Sequence, residues 1–230
     1  MTKPDPARPE SLAQQGYGAI RRAIRDGRIP RGQFFSESRL AASLGVSRTP
    51  VREALLNLFQ DGVVEILPKR GYRLVELDDA SIGEIRLLRV ALERVVIEQL
   101  CARATAADIH ELRAILKGRG RSQEDMFSID EEFHLRMAEL AGFRHVQRVL
   151  LGLRGKMYLI ASGTRVPTLR NQNVVREHEE IVAALERGDC ATATKTMTEH
   201  VERSIDAFVA ARASLAAVQQ GIGPLAPPGS

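Results

Sequence analysis

The chain has 230 residues, 44% of them hydrophobic and 27% charged, with a formal net charge of +4, which is the composition of an ordinary globular protein of one or two domains. No apolar run approaches the roughly 18 residues of a membrane span, and the start MTKPDPARPE lacks an apolar secretory region, so we expect a cytoplasmic protein. Cys101 and Cys190 lack CxxC spacing and lie in helical patterns. We therefore expect buried, reduced thiols and no redox chemistry.

The positive charge is concentrated at the front of the chain. Residues 1–77 hold 13 Lys and Arg against 8 Asp and Glu, whereas residues 78–230 hold 20 against 21. This asymmetry indicates an anionic partner for the front third. A basic, solvated surface without a partner is the alternative that charge alone leaves open.

Three helices are predicted in this basic region. The first runs from about Leu12 to Asp26, with apolar residues at helical spacing. Ser36 is a suitable N-cap for the short second helix ESRLAASL, and Gly45 closes it. The third begins at Ser47 and ends near Gly62. The short connection between the second and third helices is typical of a helix-turn-helix.

The pattern then changes to β-structure. VVEILPKRGYRLVEL is rich in β-formers and interrupted by Pro68 and Gly71, which predicts a two-stranded hairpin. Its tip carries Lys69, Arg70 and, just beyond, Arg73. Three helices followed by a basic hairpin predict a winged helix-turn-helix over residues 11–77, after a disordered tail at 1–10.

The segment GVSRTPVREAL carries the chemistry of this domain. With Ser47 as N-cap, Pro50 lies in the first helical turn, where its missing N–H has no intrahelical partner to lose. Arg48, Thr49 and Arg52 lie away from the apolar face at the positive helix end, an arrangement that costs roughly 0.3–1 kcal/mol per charge. DNA would supply the missing negative charge, since arginine binds guanine or phosphate and hydroxyls bind phosphate, while the basic hairpin reaches the flanking backbone or minor groove. An ordinary solvated helix end is the alternative.

These residues resemble the GntR superfamily of bacterial transcription regulators. The resemblance runs from IRDGRIPRGQFF through SESRLAASLGVSRTPVREALLNLFQ to DGVVEILPKRGYRLVEL. It implies that Arg48, Thr49, Arg52 and the wing glycine Gly71 contact DNA. Family members often carry a basic residue just before the acidic or variable position that precedes LA; this chain has Ser38 there, and the neighbouring Arg39 is expected to substitute.

From residue 78 to about 213 only helical patterns occur, and no βαβ alternation, GxGxxG, Walker loop or GxSxG is found. We therefore predict a mainly α protein in which an all-α bundle of about six helices follows the winged domain. The Gly/Pro-rich tail at 214–230 is expected to be disordered. The predicted helices are 79–104, 106–118, 122–141, 143–162, 168–187 and 190–212.

One carboxylate and three imidazoles of the bundle are expected to converge. Asp130 and His134 are four residues apart and share a helix face, although alone such a pair is usually a surface ion pair. His178 and His200 lie at nearly equal distances on either side of the GD turn at 188–189, so an antiparallel helix pair returns them to the same level. The set of nitrogen and oxygen ligands suits Zn²⁺, Ni²⁺, Mn²⁺ and Fe²⁺ alike, and of these we expect Zn²⁺ first. His110 stays outside this set, as does His145.

The bundle also resembles the FCD branch of the GntR superfamily, through RVALE, DEEFHLRMAELAG and EHEEIVAALERGDCATATKTMTEHV. In metal-containing members the matching residues bind the ion, which implies Asp130, His134, His178 and His200 as ligands. The resemblance also implies a small organic acid effector whose carboxylate completes the coordination sphere. Arg89 is either a second clamp on that carboxylate or an internal partner of Glu93.

The sequence thus predicts a homodimeric, ligand-responsive regulator and not an enzyme. It would bind a pseudo-palindromic operator in double-stranded DNA and act as a repressor that the effector releases. Two alternatives remain. The metal could be purely structural, or an ion with open positions could activate water with Glu131 or Glu132 as the base, as in a hydrolase.

Overall fold

The computed structural model describes residues 12–117, 123–164 and 168–219. Within these ranges, three helices and a hairpin are followed by helices alone, as the sequence predicts. The expected disordered residues 1–10 and 220–230, and the predicted helix ends at 118 and 122, lie outside the described residues. The elements are α1 Leu12–Arg25, α2 Glu37–Leu44, α3 Arg48–Gln60, β1 Val64–Leu67, β2 Gly71–Leu74, α4 Asp79–Arg103, α5 Ala106–Lys117, α6 Gln123–Leu140, α7 Arg144–Ala161, α8 Thr168–Glu186 and α9 Cys190–Gln219.

The first three helices form a helix-turn-helix around one apolar core. Ser36 caps α2 by accepting a hydrogen bond from the Arg39 amide, and Gly45 ends this helix in the left-handed conformation. Helices α1 and α3 contribute most of the fully buried members of the core, since their apolar residues recur at helical spacing. These include Ile20, Ile24, Val51, Leu55 and Leu58.

The hairpin packs on this core as a wing. Its antiparallel register pairs Val64 with Leu74 and Leu67 with Gly71. Phe35, before α2, adds a short bridge to Tyr72 through two backbone hydrogen bonds of 2.9 Å. The wing is therefore tied to the start of α2 as well as to the end of α3.

Helices α4 to α9 form the second domain. Asp78 caps α4 by accepting from the Ser81 amide at 2.8 Å, so the helical domain begins directly after the segment that leaves the wing. Helix α9 packs along both α4 and α8. The core between the helices is apolar and closely packed, and includes Leu100, Phe133, Met137, Ile181 and Met197.

Two expectations about this domain are wrong. Helix α9 continues to Gln219, so residues 214–219 are helical rather than part of a disordered tail. The run SLAAVQ consists mostly of good helix formers, and Leu215 packs against Gly163. Cys190 is exposed because it is the first residue of α9, directly after the turn at Gly188, and Cys101 is only partly buried.

Helix α7 joins the two domains. Tyr158 and Leu159, near its C-terminal end, belong to the apolar core of the winged domain. A Cβ added at Gly155 of α7 would lie only 3.0 Å from the Val63 side chain. The absence of a side chain at Gly155 therefore lets α7 approach the winged domain closely. Within the described ranges, no helix has the length and apolar character needed to cross a membrane.

Candidate nucleic-acid interface and metal centre

Ser47 and Pro50 start the third helix in an unusual way. Ser47 has the extended conformation of an N-cap, but its side chain makes no capping hydrogen bond. Pro50, at the third helical position, lacks an N–H that such a side chain often binds. The proline is buried, and a Cβ at Gly16 of α1 would lie 3.0 Å from its carbonyl oxygen. Pro50 therefore packs α3 against α1 and leaves the Ser47 hydroxyl exposed.

The predicted cationic residues of α3 face solvent. The side chains of Arg48 and Arg52 are 69% and 70% exposed, and Thr49 is exposed beside them. Each arginine lies 3.9 Å from the Glu37 carboxylate, which also accepts a hydrogen bond of 2.9 Å from the Tyr72 hydroxyl. Contacts this long at the surface contribute little energy. The two guanidinium groups can therefore leave Glu37 for a nucleic acid.

The wing tip contains two left-handed residues. The Arg70 amide donates to the Leu67 carbonyl at 3.1 Å, and Lys69 within this turn has φ of 63°. A residue with a side chain is disfavoured in the left-handed conformation by roughly 1–2 kcal/mol. The turn therefore has a lysine at a position where glycine would be less strained. Gly71 has φ of 99°, and a Cβ on it would lie 2.5 Å from the Phe35 carbonyl oxygen. Glycine is required there for close packing.

The remaining predicted cations lie around Phe34. The Arg70 guanidinium lies 5.0 Å from the centre of its ring and that of Arg73 lies 5.3 Å from it. Arg73 also pairs with Glu65 at 2.6 Å, so it is held more firmly than Arg70. Arg39 is exposed on α2. All eight residues predicted for DNA binding are thus at the surface or, for Gly71, at the tip of the wing.

Four predicted metal ligands converge in the helical domain. Asp130 and His134 come from α6, His178 from α8 and His200 from α9, and their ligand atoms lie within 4.8 Å of one another. His200 Nε2 lies 3.1 Å from His134 Nε2, 3.3 Å from His178 Nε2 and 3.2 Å from Asp130 Oδ1. For ligand bonds near 2.0–2.1 Å, the corners of a tetrahedron are about 3.3 Å apart. The spacing suits a transition-metal ion.

Two of the imidazoles contact a carboxylate through Nδ1, while their Nε2 atoms face the other ligands. His134 Nδ1 contacts Glu93, and His200 Nδ1 lies 2.8 Å from Glu177 Oε2. An ionised carboxylate accepts only, so each Nδ1 carries the hydrogen and each Nε2 presents a lone pair to the centre. His178 is held differently: its ring stacks on Phe133 at 4.2 Å, and its Nδ1 has no hydrogen-bond partner among the described residues.

The charges of the centre favour a bound cation. Burial would raise the pKa of Asp130, but Arg154 and the three imidazoles hold it well below its usual value. Burial and the neighbouring His200 lower the pKa of His178 to about 3. Burial would also lower the pKa of His200, but the carboxylates of Asp130 and Glu177 raise it above its usual value. Asp130 Oδ1 is buried without a hydrogen-bond donor among the described residues, and lone pairs on adjacent Nε2 atoms repel unless a cation or proton lies between them. The donor set therefore fits a divalent transition ion.

Comparison with known proteins assigns both halves of the chain. Residues 12–74 match the model of bacterial regulatory proteins of the gntR family, and residues 84–203 match the FCD domain. A regulator in an unstable DNA locus of Streptomyces ambofaciens, named as an uncharacterized HTH-type transcriptional regulator, is 32% identical over 83% of this chain and 82% of its own length. The chain belongs to the GntR family of transcription regulators, with an FCD domain. GntR-family regulators are DNA-binding proteins without enzymatic activity, so the hydrolase alternative is wrong.

Two further relatives agree with this assignment. The HTH-type transcriptional repressor RspR of Escherichia coli K12 is 25% identical over 87% of this chain and 90% of its own length. The solved structure of E. coli McbR/YncC superimposes with a TM-score of 0.73 and covers 86% of this chain and 97% of that one. Because that pair shares 20% identity, the similarity supports the fold alone.

The structure shows the internal pair of Arg89. Its side chain is 1% exposed, and Nε and Nη2 donate to Glu93 Oε1 at 2.9 and 2.7 Å. Glu93 also contacts His134, so Arg89 is linked to the four predicted ligands through Glu93. The candidate base Glu131 instead binds Arg21 of the winged domain with both carboxylate oxygens, and Glu132 is exposed.

Sequence reasoning missed Arg154. This residue of α7 is 4% exposed and donates through Nη2 to Asp130 Oδ2. Its Nε and Nη1 are buried and have no hydrogen-bond partner among the described residues. An arginine four residues after Leu150 and three before Met157, on the apolar face of α7, was the available signal.

A small cavity lies beside Asp130. Its volume is about 30 Å³, room for one or two water-sized groups, and its walls include Phe127, Arg170 and Ser204. Arg154 and Arg89 line a smaller space that shares Phe127 and Asp130 with this cavity. A ligand larger than a single carboxylate group would have to displace Phe127 or Phe208, whose rings are 5.2 Å apart.

Proposed function

We propose that this regulator is a metal-dependent repressor that a small organic acid releases from its operator. The observation that carries the proposal is the convergence of four ligand atoms from three helices in the chain that also presents the cationic helix end. The E. coli relative RspR is named a repressor, which supports repression as the direction of control. As a DNA-binding protein it would act in the cytoplasm.

The winged domain would read DNA in two ways. Arg48, Thr49 and Arg52 would contact base edges in the major groove, because they are exposed at the start of α3 and bidentate arginine contacts discriminate bases. The exposed hydroxyl of Ser47 would bind a phosphate, as would Arg39 on α2. The wing tip, with Lys69, Arg70 and Gly71, would lie along the flanking backbone or in the minor groove.

Asp130, His134, His178 and His200 would hold the metal ion, Zn²⁺ in the first instance. When bound, the ion supplies a Lewis acid that attracts the carboxylate of the effector. Glu93 and Glu177 orient two of the histidines, since each carboxylate contacts an Nδ1 atom. The ordered outer partners support a centre built for a cation.

The effector would be a small carboxylate. Arg154 is the side chain best suited to bind it, because two of its buried N–H groups have no partner among the described residues. Arg89 lines the same small cavity as Arg154. It would hold the Glu93 carboxylate in position and in its charged form, and would not bind the effector directly. The limited volume beside Asp130 favours a short acid.

A homodimer would pair the helical domains through α4. Leu87, Leu88 and Val95 are 71%, 49% and 45% exposed on this helix, which is an unusual concentration of apolar surface. Glu84 and Glu98 flank them on the same exposed face. Two copies related by a two-fold axis would bury this face and place two winged domains on a pseudo-palindromic operator.

The proposal is tested by a thermal-shift screen of small organic acids against the Zn²⁺-loaded and chelator-treated full chain. We expect short carboxylates to raise the melting temperature only of the loaded protein and to lower its affinity for a DNA duplex selected from a random-sequence library. Equal shifts with and without metal would contradict metal-assisted recognition of the effector.

A purely structural metal is the second candidate, and the burial of the centre favours it, since His178 and His200 are 0% exposed. Replacing both with alanine separates the two functions. If the variant melts at a lower temperature yet still releases DNA in response to the acid, the ion is structural. Loss of the response in a folded variant supports the sensing role.

A further inference from the structure

Arg21 forms a buried charged contact between the two domains. This residue of α1 is 4% exposed, and its two Nη atoms bind the two carboxylate oxygens of Glu131 on α6. Its guanidinium also lies 4.1 Å from the centre of the Tyr158 ring of α7 and 5.2 Å from that of Tyr17. A buried bidentate pair depends strongly on geometry, because moving one partner leaves a charge without compensation.

Both residues that hold Arg21 are connected to the metal centre. Glu131 directly follows the ligand Asp130 in α6, so a change in the position of one carries the other. Arg154, which donates to Asp130, lies one helical turn before Tyr158 in α7. A third connection starts at Phe127 in the wall of the cavity beside Asp130. The centre of its ring lies 5.2 Å from that of Tyr158 and 5.5 Å from the Arg25 guanidinium.

On the other side, α1 is attached to the DNA-facing helix. Gly16 packs directly on Pro50 in the first turn of α3. The Tyr17 hydroxyl donates to Asp61 at the end of α3 with a distance of 2.5 Å. Helix α1 therefore contacts both ends of α3. A rotation of α1 relative to α6 and α7 would move α3 with it.

We propose that the Arg21–Glu131 pair is the positioning contact that transmits the occupancy of the metal centre to the DNA-binding helix. The inference rests on the proposed function. A bound ion would draw Asp130 toward the three histidines and weaken its contact with Arg154, and this would shift Glu131 and Tyr158 relative to Arg21. Arg21 then favours one orientation of α1 over another, as a ligand-driven switch requires.

The test measures how Zn²⁺ changes the affinity of the full chain for a DNA duplex selected from a random-sequence library. The ratio of the dissociation constants with Zn²⁺ and with chelator gives the coupling, which is typically about 5–150-fold in allosteric proteins. We expect Glu131→Gln and Arg21→Lys each to bring this ratio below twofold. Zn²⁺ affinity, measured by competition with a chromophoric chelator, should change less than threefold, because neither residue is a ligand.

Glu139→Gln is the matched control. It makes the same change on the same helix, but Glu139 pairs with Arg136 inside the helical domain. This variant should keep the wild-type ratio. Hydrogen exchange gives a second measurement without DNA: Zn²⁺ should change protection of residues 12–25 in wild type and Glu139→Gln, but not in Glu131→Gln.

The outcomes separate the two proposals. Wild-type coupling in both Glu131→Gln and Arg21→Lys would overturn the role of this pair and leave metal sensing intact. A wild-type ratio of one would overturn the transmission of metal occupancy and the role of the pair with it, whereas the proposed function fails only if carboxylates shift the melting temperature equally with and without metal. A variant that melts lower but keeps the coupling ratio would show that the pair only stabilises the domain contact.

Discussion

Glu177→Gln isolates the contribution of an orienting carboxylate to metal binding. Glu177 Oε2 accepts from both His200 and Arg170, while Oε1 accepts from Arg170 and Arg203. Burial would raise its pKa, but these partners lower it to about 2, so the side chain is charged throughout the neutral range. A glutamine has one acceptor oxygen and no charge, and it cannot serve His200 and both arginines.

The magnitude follows from the loss of this charged partner of a ligand. Removing such an outer carboxylate typically weakens metal affinity by about 10–100-fold, or roughly 1.4–2.7 kcal/mol. The assay is competition for Zn²⁺ between the protein and a chromophoric chelator at neutral pH. The exposed Glu180→Gln on the same helix is the control and should bind Zn²⁺ as wild type does. An affinity within twofold of wild type for a folded Glu177→Gln would refute the reasoning.

Four further predictions concern DNA, protons and assembly. Arg48→Ala and Arg52→Ala should each reduce discrimination between a selected and a scrambled duplex by about 1–3 kcal/mol in fluorescence anisotropy, and unchanged discrimination would contradict base contacts. Lys69→Asn keeps the left-handed turn, so it should weaken binding to both duplexes equally and lower the salt slope by about one. Because the carboxylates of Asp130 and Glu177 raise the pKa of His200 above its usual 6.5, protons compete with the metal for this imidazole; apparent Zn²⁺ affinity should fall by about tenfold per pH unit below that pKa, and calorimetry in two buffers should detect the proton that the ion displaces there. Leu88→Glu should shift the chain from dimer to monomer in sedimentation, and an unchanged sedimentation coefficient would exclude the α4 interface.

Most of the fold follows from local signals in the sequence. Caps at Ser36 and Asp78 and the left-handed stop at Gly45 define helix ends through hydrogen bonds between near neighbours. The end of α9 differs from the prediction of a disordered Gly/Pro-rich tail from residue 214, because SLAAVQ continues the helix and its Leu215 packs on Gly163. Its stability depends on a contact that is distant in sequence.

The candidate metal centre was predictable because its geometry follows from helical repeats and one turn. Asp130 and His134 are one turn apart, and the GD turn brings His178 and His200 to the same level. The supporting residue Arg154 was not predictable in this way. Its partner is on another helix, and periodicity does not determine which helices are neighbours.

The interdomain pair was missed for a related reason. Arg21 lies in a basic helix where charge suggests solvent or DNA, yet it is 4% exposed against Glu131 and Tyr158. The docking of α6 and α7 on the winged domain explains its burial. A basic residue of a DNA-binding domain can therefore serve the domain contact rather than the nucleic acid.

Whether Asp130 and the three histidines hold a metal ion is tested by the metal content of the purified full chain after exposure to Zn²⁺ and gel filtration, compared with that of the His178→Ala/His200→Ala variant. We expect about one tightly bound ion per chain in wild type and a marked loss in the folded variant. Equal metal content in the two proteins, or none in either, would contradict a regulatory centre built from Asp130 and the three histidines.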